Sequence, residues 1–134
     1  MPDHSDLVDE FDAYYRIIDE PVMRRIERNM LGSDYGASSY TTVDQADRLL
    51  GLLGLAPGKL LLDYGSGTGW PGIHLARSSG CEVVLIDLPL EGLRRADRRR
   101  QVEGVRGGVL AASAALLPLQ DRVFDAATSS DVLC

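Results

Sequence analysis

Cysteine is scarce in this chain: there are two, Cys81 and Cys134, in no framework of pairs and no CxxC spacing. That excludes a disulfide-stapled scaffold and leaves a zinc site unsupported. Long apolar runs are also missing, with no stretch near the roughly 20 residues a membrane-spanning helix needs. The opening Met1-Pro2-Asp3-His4-Ser5-Asp6 is acidic where a secretion signal is basic, so the expectation is a cytoplasmic protein with no membrane partner. Positive charge is in the minority, 14 Lys and Arg against 20 Asp and Glu, for a formal net charge of −6. On average such a surface repels phosphate, which argues against nucleic acid and toward a small-molecule partner. Internal repeats and low-complexity tracts are absent as well.

What is present is the makeup of one globular domain, 134 residues with 45% hydrophobic and 25% charged. Apolar residues from Leu7 to Met30 recur at spacings of three and four, which predicts amphipathic helix. Pro21 suits a first helical turn and not an interior, so the stretch divides into two helices near 19–21. The polar stretch 32–42 reads as a loop. Thr42 and Gln45 form a capping-box signature for a third helix with Ala46, Leu49, Leu50 and Leu53 on its buried stripe. Leu60-Leu61-Leu62 predicts a parallel strand buried on both faces, followed by a helix over 70–79. Val83–Ile86 predicts a second strand, Leu90–Val102 a helix, Gly108–Ala111 a third strand and Val123–Thr128 a fourth. The alternation gives an α/β fold with a parallel sheet and right-handed crossovers.

Between the first strand and its helix stands Asp63-Tyr64-Gly65-Ser66-Gly67-Thr68-Gly69. Gly65, Gly67 and Gly69 let a backbone turn sharply and lie against a ligand. Their spacing is GxGxG. A dinucleotide fingerprint wants its third glycine at position 70, where this chain has Trp70, so NAD is the weaker reading. Asp63 lies at the carboxyl end of the first strand, where open parallel sheets bind ligands, and an anion there suits an ammonium group. Asp87 ends the second strand, where a carboxylate can accept hydrogen bonds from both hydroxyls of a ribose. Together they specify a nucleoside that carries a cation. Tyr35 and Tyr40 in the lead-in loop offer ring faces that attract cations. His74 reads as a packing residue rather than a base, and the arginines at 94, 95 and 98–100 as a solvated face.

Leu61–Gly69, then Asp87, then Phe124-Asp125 resemble the successive motifs of class I S-adenosylmethionine-dependent methyltransferases, over about residues 42–134. Gly32-Ser33-Asp34-Tyr35-Gly36 and Tyr40-Thr41-Thr42 resemble the lead-in of small-molecule members. The resemblance implies a three-layer Rossmann-like sheet, order 3-2-1-4 in its first four strands, with residues 1–41 as a helical cap and loop and 42–134 as the cofactor domain. It implies S-adenosylmethionine as cofactor, with Asp63 and the loop of Gly65, Ser66, Gly67 and Gly69 at its methionine part. Asp87 would meet the ribose and Leu88 would flank the adenine. Ala112-Ser113-Ala114 falls where the family has Gly-Asp-Ala, so Ser113 replaces an aspartate that meets the adenine amino group. Ser130, in Ser129-Ser130-Asp131, would lie near the transferred methyl, as would Tyr40. The family continues through three further strands, so the chain is expected to be truncated after its fourth strand. An open edge there invites self-association or a disordered end. A module that binds the cofactor without turnover stays open as an alternative.

Overall fold

In a computed structural model, which describes residues 4–113 and 115–130, nine elements follow in order. α1 (His4–Ile17) and α2 (Pro21–Leu31) divide at the expected place, and Pro21 opens α2. α3 (Val43–Leu53) begins with the full capping box, the Gln45 N–H donating to the Thr42 hydroxyl (3.2 Å) and the Thr42 N–H to Gln45 Oε1 (2.9 Å). β1 (Leu60–Tyr64), α4 (Gly72–Ser79), β2 (Glu82–Asp87), α5 (Leu90–Val102), β3 (Gly107–Ala111) and β4 (Ala126–Thr128) complete the chain.

The four strands are all parallel and lie in the order β3-β2-β1-β4, the Rossmann-like arrangement the motifs imply. Register sets Leu61 beside Val83 and Asp63 beside Leu85, so these four share one face of the sheet. Leu61, Val83 and Leu85 are wholly buried there, under Ile73 and Leu75 of α4 and Ala96 of α5. The alternate residues Leu62 and Val84 are only half-buried. β1 therefore meets full cover on one face, not the two its unbroken leucines suggest. Among the described residues, the helices in close contact with the strands are α4 and α5, while α3 packs on α4 and α1 on α5. None of the helices is long and apolar enough to cross a membrane.

Two boundaries differ from expectation. α4 starts at Gly72, because Trp70 and Pro71 belong to the turn before it and Pro71 is its N-cap. β4 has three residues, because Asp125 meets Leu60 as a clasp: its N–H donates to the Leu60 carbonyl (2.9 Å) and its Oδ2 accepts the Leu60 N–H (2.8 Å). Val123 and Phe124 stand before that clasp and outside the ladder.

Candidate cofactor site

The carboxyl end of β1 is where the chain turns through residues 65–69, with Gly65, Gly67 and Gly69 at φ 68°, 51° and 97°. Gly69 has the least freedom, since a Cβ there would lie 2.3 Å from Ile73 Cδ1. The Gly65 and Ser66 N–H groups donate to the Ile86 carbonyl at 2.8 and 3.0 Å, which ties the loop to β2. The Gly67 N–H donates to Asp87 Oδ2 at 2.7 Å, while Asp87 Oδ1 accepts the Leu88 N–H at 2.8 Å. Burial raises the Asp87 pKa above its ordinary value, and those two N–H bonds oppose the rise. A carboxylate offers about four acceptor positions, so Asp87 keeps capacity for ligand hydroxyls.

Ser66 and Thr68 are each 2% exposed, and neither hydroxyl has a hydrogen-bond partner among the described residues. An unpaired buried hydroxyl costs about 1–3 kcal/mol. Two of them in one loop depart from the usual pairing of buried polar groups and call for a partner beyond the described residues.

Asp63 departs from the ligand-facing role. It is 1% exposed, Oδ2 accepts the Gly72 N–H at 3.0 Å, and Oδ1 accepts the Thr128 hydroxyl at 3.2 Å. Burial pushes its carboxyl up to about 7. A Cβ on Gly72 would lie 2.3 Å from Asp63 Oδ2, so the helix start fits closely onto this carboxyl. Asp63 braces α4 and β4 from beneath the loop.

The remaining expected residues divide. Leu88 is half-buried beside Asp87. Ser113 is also half-buried and its Oγ accepts the Ala115 N–H (3.2 Å), while the Ala112 N–H donates to the Asp87 carbonyl (3.1 Å), so this segment stays at the end of β2. Ala114 and Asp131 lie outside the described residues. Ser130 accepts the Thr41 hydroxyl (3.3 Å), which brings the lead-in loop to the end of β4. Tyr40 is 81% exposed, on the wall of a cleft between α1 and α2. The Tyr35 ring faces a cation, but it is Arg99, 4.1 Å from the ring centroid. Its hydroxyl reaches Glu103 (3.4 Å) and its pKa is pushed up to about 12, chiefly by burial.

Trp70 is 4% exposed, stacks 5.0 Å from Tyr35 and donates through Nε1 to the Thr41 carbonyl at 2.8 Å. A packed indole thus occupies the position of a dinucleotide loop's third glycine. His74 is engaged with Asp47 (2.7 Å). The expected solvated arginine face is only partly so: Arg95, Arg99 and Arg100 hold the carboxylates of Asp19, Glu103 and Asp97 and are half-buried. The sequence pattern predicted α1 but not what it touches. Its Asp12 Oδ1 accepts the Glu91 N–H (2.9 Å) at the start of α5, and its Tyr15 covers Gly67. Both contacts join distant parts of the chain; Tyr15 belongs to the apolar pattern of that helix, but the pattern does not say which partner it meets.

Residues 61–134 match the family described as a methyltransferase domain. The chain belongs to it and has the Rossmann-like fold of class I S-adenosylmethionine-dependent methyltransferases. It is 34% identical over 109 residues to squalene methyltransferase 1 of Botryococcus braunii, covering 80% of this chain and 28% of that protein. To 27-O-demethylrifamycin SV methyltransferase of Amycolatopsis mediterranei it is 28% identical over 126 residues, covering 92% and 46%. A solved SAM-dependent methyltransferase from Geobacter sulfurreducens, in complex with S-adenosyl-L-homocysteine, aligns with a TM-score of 0.61 at 26% identity, over 81% of this chain and 43% of that one. The chain spans less than half the length of each. The family uses S-adenosylmethionine, and the residues fit it: Asp87 has acceptor capacity for sugar hydroxyls, and the loop beside it holds two hydroxyls without a partner among the described residues.

Proposed function

We propose that this chain is the cofactor-binding part of an enzyme that transfers a methyl group from S-adenosylmethionine to a small organic acceptor. The observation that carries the reading is the clip between Asp87 and the Gly67 N–H, with two unpartnered hydroxyls in the same loop. In this reading residues 1–41 are a cap over a cofactor domain of 42–134. Asp87 holds the ribose, Leu88 and Ser113 border the adenine, and Ser66, Gly67 and Thr68 bind the methionine part. When bound, S-adenosylmethionine supplies a methyl group already activated by its sulfonium. The protein's task is then orientation and exclusion of water. Asp63 fixes the loop's footing, and α1 covers the loop from the outside.

Both curated relatives are named for small organic acceptors, and a cleft of about 200 Å³ lies between α1, α2 and residues 37–40. Its wall includes Ile18, Met23, Ile26 and Met30, which suits an acceptor with an apolar body. The arginines that could attract a polyanion are largely paired with carboxylates, which supports a small molecule over nucleic acid.

Calorimetry tests the reading. The wild-type chain is expected to bind S-adenosylmethionine and S-adenosylhomocysteine, and Asp87→Ala to lose at least about tenfold in affinity for both. Preference for NAD would overturn the assignment. Labelled methyl transfer into a metabolite extract separates turnover from binding alone.

A further inference from the structure

Tyr15 lies in α1, 52 positions before Gly67, yet its hydroxyl would stand 2.6 Å from a Cβ placed on Gly67. The ring's other edge meets Gly92 in the first turn of α5, where a Cβ would lie 2.9 Å from Tyr15 Cε2. Two glycines from separate elements thus form a seat for one aromatic ring. Gly92 is costly where it is: a glycine inside a helix gives up about 0.5–1 kcal/mol relative to alanine. The seat is fixed on its other sides by the rings of Phe11 and Tyr14 and by Asp12 at the start of α5. Tyr15 is 4% exposed. Among the described residues the Tyr35 hydroxyl reaches Glu103, whereas none accepts a hydrogen bond from Tyr15.

We infer that Tyr15 is a cofactor-binding residue, its hydroxyl donating a hydrogen bond to a sugar oxygen of the nucleoside held at Asp87. This rests on the cofactor reading above. The ligand part is chosen by charge. The Asp87 carboxylate stands close enough to raise the Tyr15 pKa, together with the larger effect of burial, so the phenol stays a neutral donor. The same carboxylate repels the cofactor's own carboxylate and accepts from hydroxyls. A group placed between a carboxylate and a phenol is therefore one that can donate to the first and accept from the second, as a ribose hydroxyl does.

Tyr15→Phe keeps the ring in its seat and removes only the donor. Calorimetry with S-adenosylhomocysteine is expected to show about a three- to tenfold loss of affinity in this variant, with the melting temperature of the ligand-free protein unchanged. The 2′-deoxy and 3′-deoxy analogues of the same ligand read the contact independently of the variant's folding. One of them is expected to lose affinity for the wild-type chain and to bind wild type and Tyr15→Phe alike. If wild type binds the ligand and Tyr15→Phe binds it equally well, or if all three ligands lose the same factor, the role of Tyr15 is overturned while the cofactor reading stands. If wild type does not bind S-adenosylhomocysteine at all, the cofactor reading itself has failed.

Discussion

Asp63 has both carboxyl oxygens committed to internal donors, on α4 and on β4, and no solvent to stabilise its charge. Burial pushes its pKa up to about 7 in the folded chain, from an ordinary value of 3.8. Below about pH 4 the group is protonated in both states and its contribution to stability is whole. As pH rises toward 7 the unfolded chain releases the proton and the folded chain retains it, so that contribution falls away and is gone above the folded value. Asp63→Asn cannot titrate. Urea unfolding at pH 4.5 and pH 8 is expected to show wild type losing more stability over that interval than Asp63→Asn does. An equal loss in the two proteins would count against a buried, proton-retaining Asp63. The motif position of this aspartate is plain in the sequence, but its burial is not, because it follows from α4 folding back over β1.

At the scale of elements, the first part of the loop between α2 and α3 is pinned by a buried carboxylate. Glu27 is 7% exposed, and its carboxylate accepts the Ser33 hydroxyl (3.1 Å) and the N–H groups of Tyr35 (2.7 Å) and Gly36 (2.7 Å). Glu27→Ala removes the acceptor for all three donors and is expected to cost about 3 kcal/mol in chemical denaturation, with the far-ultraviolet signal of the helices retained. A loss below about 1 kcal/mol would mean that water replaces the carboxylate. The helix pattern, the split at Pro21 and the Thr42 capping box were legible because each is written in local spacing, whereas the strand order came from the family resemblance. Glu27, Asp12 and Tyr15 were not legible in that way. Each acts on a partner at least six residues away through a contact that periodicity does not encode. Tyr35 shows the same limit from the other side: its affinity for a cation could be read, but which cation could not.

For the molecule as a whole, β3 and β4 are the two edges of the sheet, and β4 is the shorter of them. β4 pairs with β1, and among the described residues no strand pairs with its other edge. The adjoining sheet face, with Leu62, Val84 and Leu110, is half-exposed, and Ala127 on the same face is open to solvent. An unpaired edge beside an apolar face favours association. The 134-residue chain is expected to show a sedimentation coefficient that rises with concentration, and Ala127→Lys to reduce that rise. A constant value over a hundredfold concentration range would remove the expectation. Ion pairs tie the N-terminal helices to the rest of the chain: Arg24 joins Asp19 to Asp34, and Arg95 joins Asp19 to α5.

The chain has one tryptophan, and its indole bridges the glycine turn and the lead-in loop through the bond to Thr41. Its emission is therefore a built-in optical reporter. If the proposed site holds, a ligand at residues 65–69 is expected to change the surroundings of a single fluorophore, so that its emission follows occupancy in dilute solution without labels, dyes or a known acceptor.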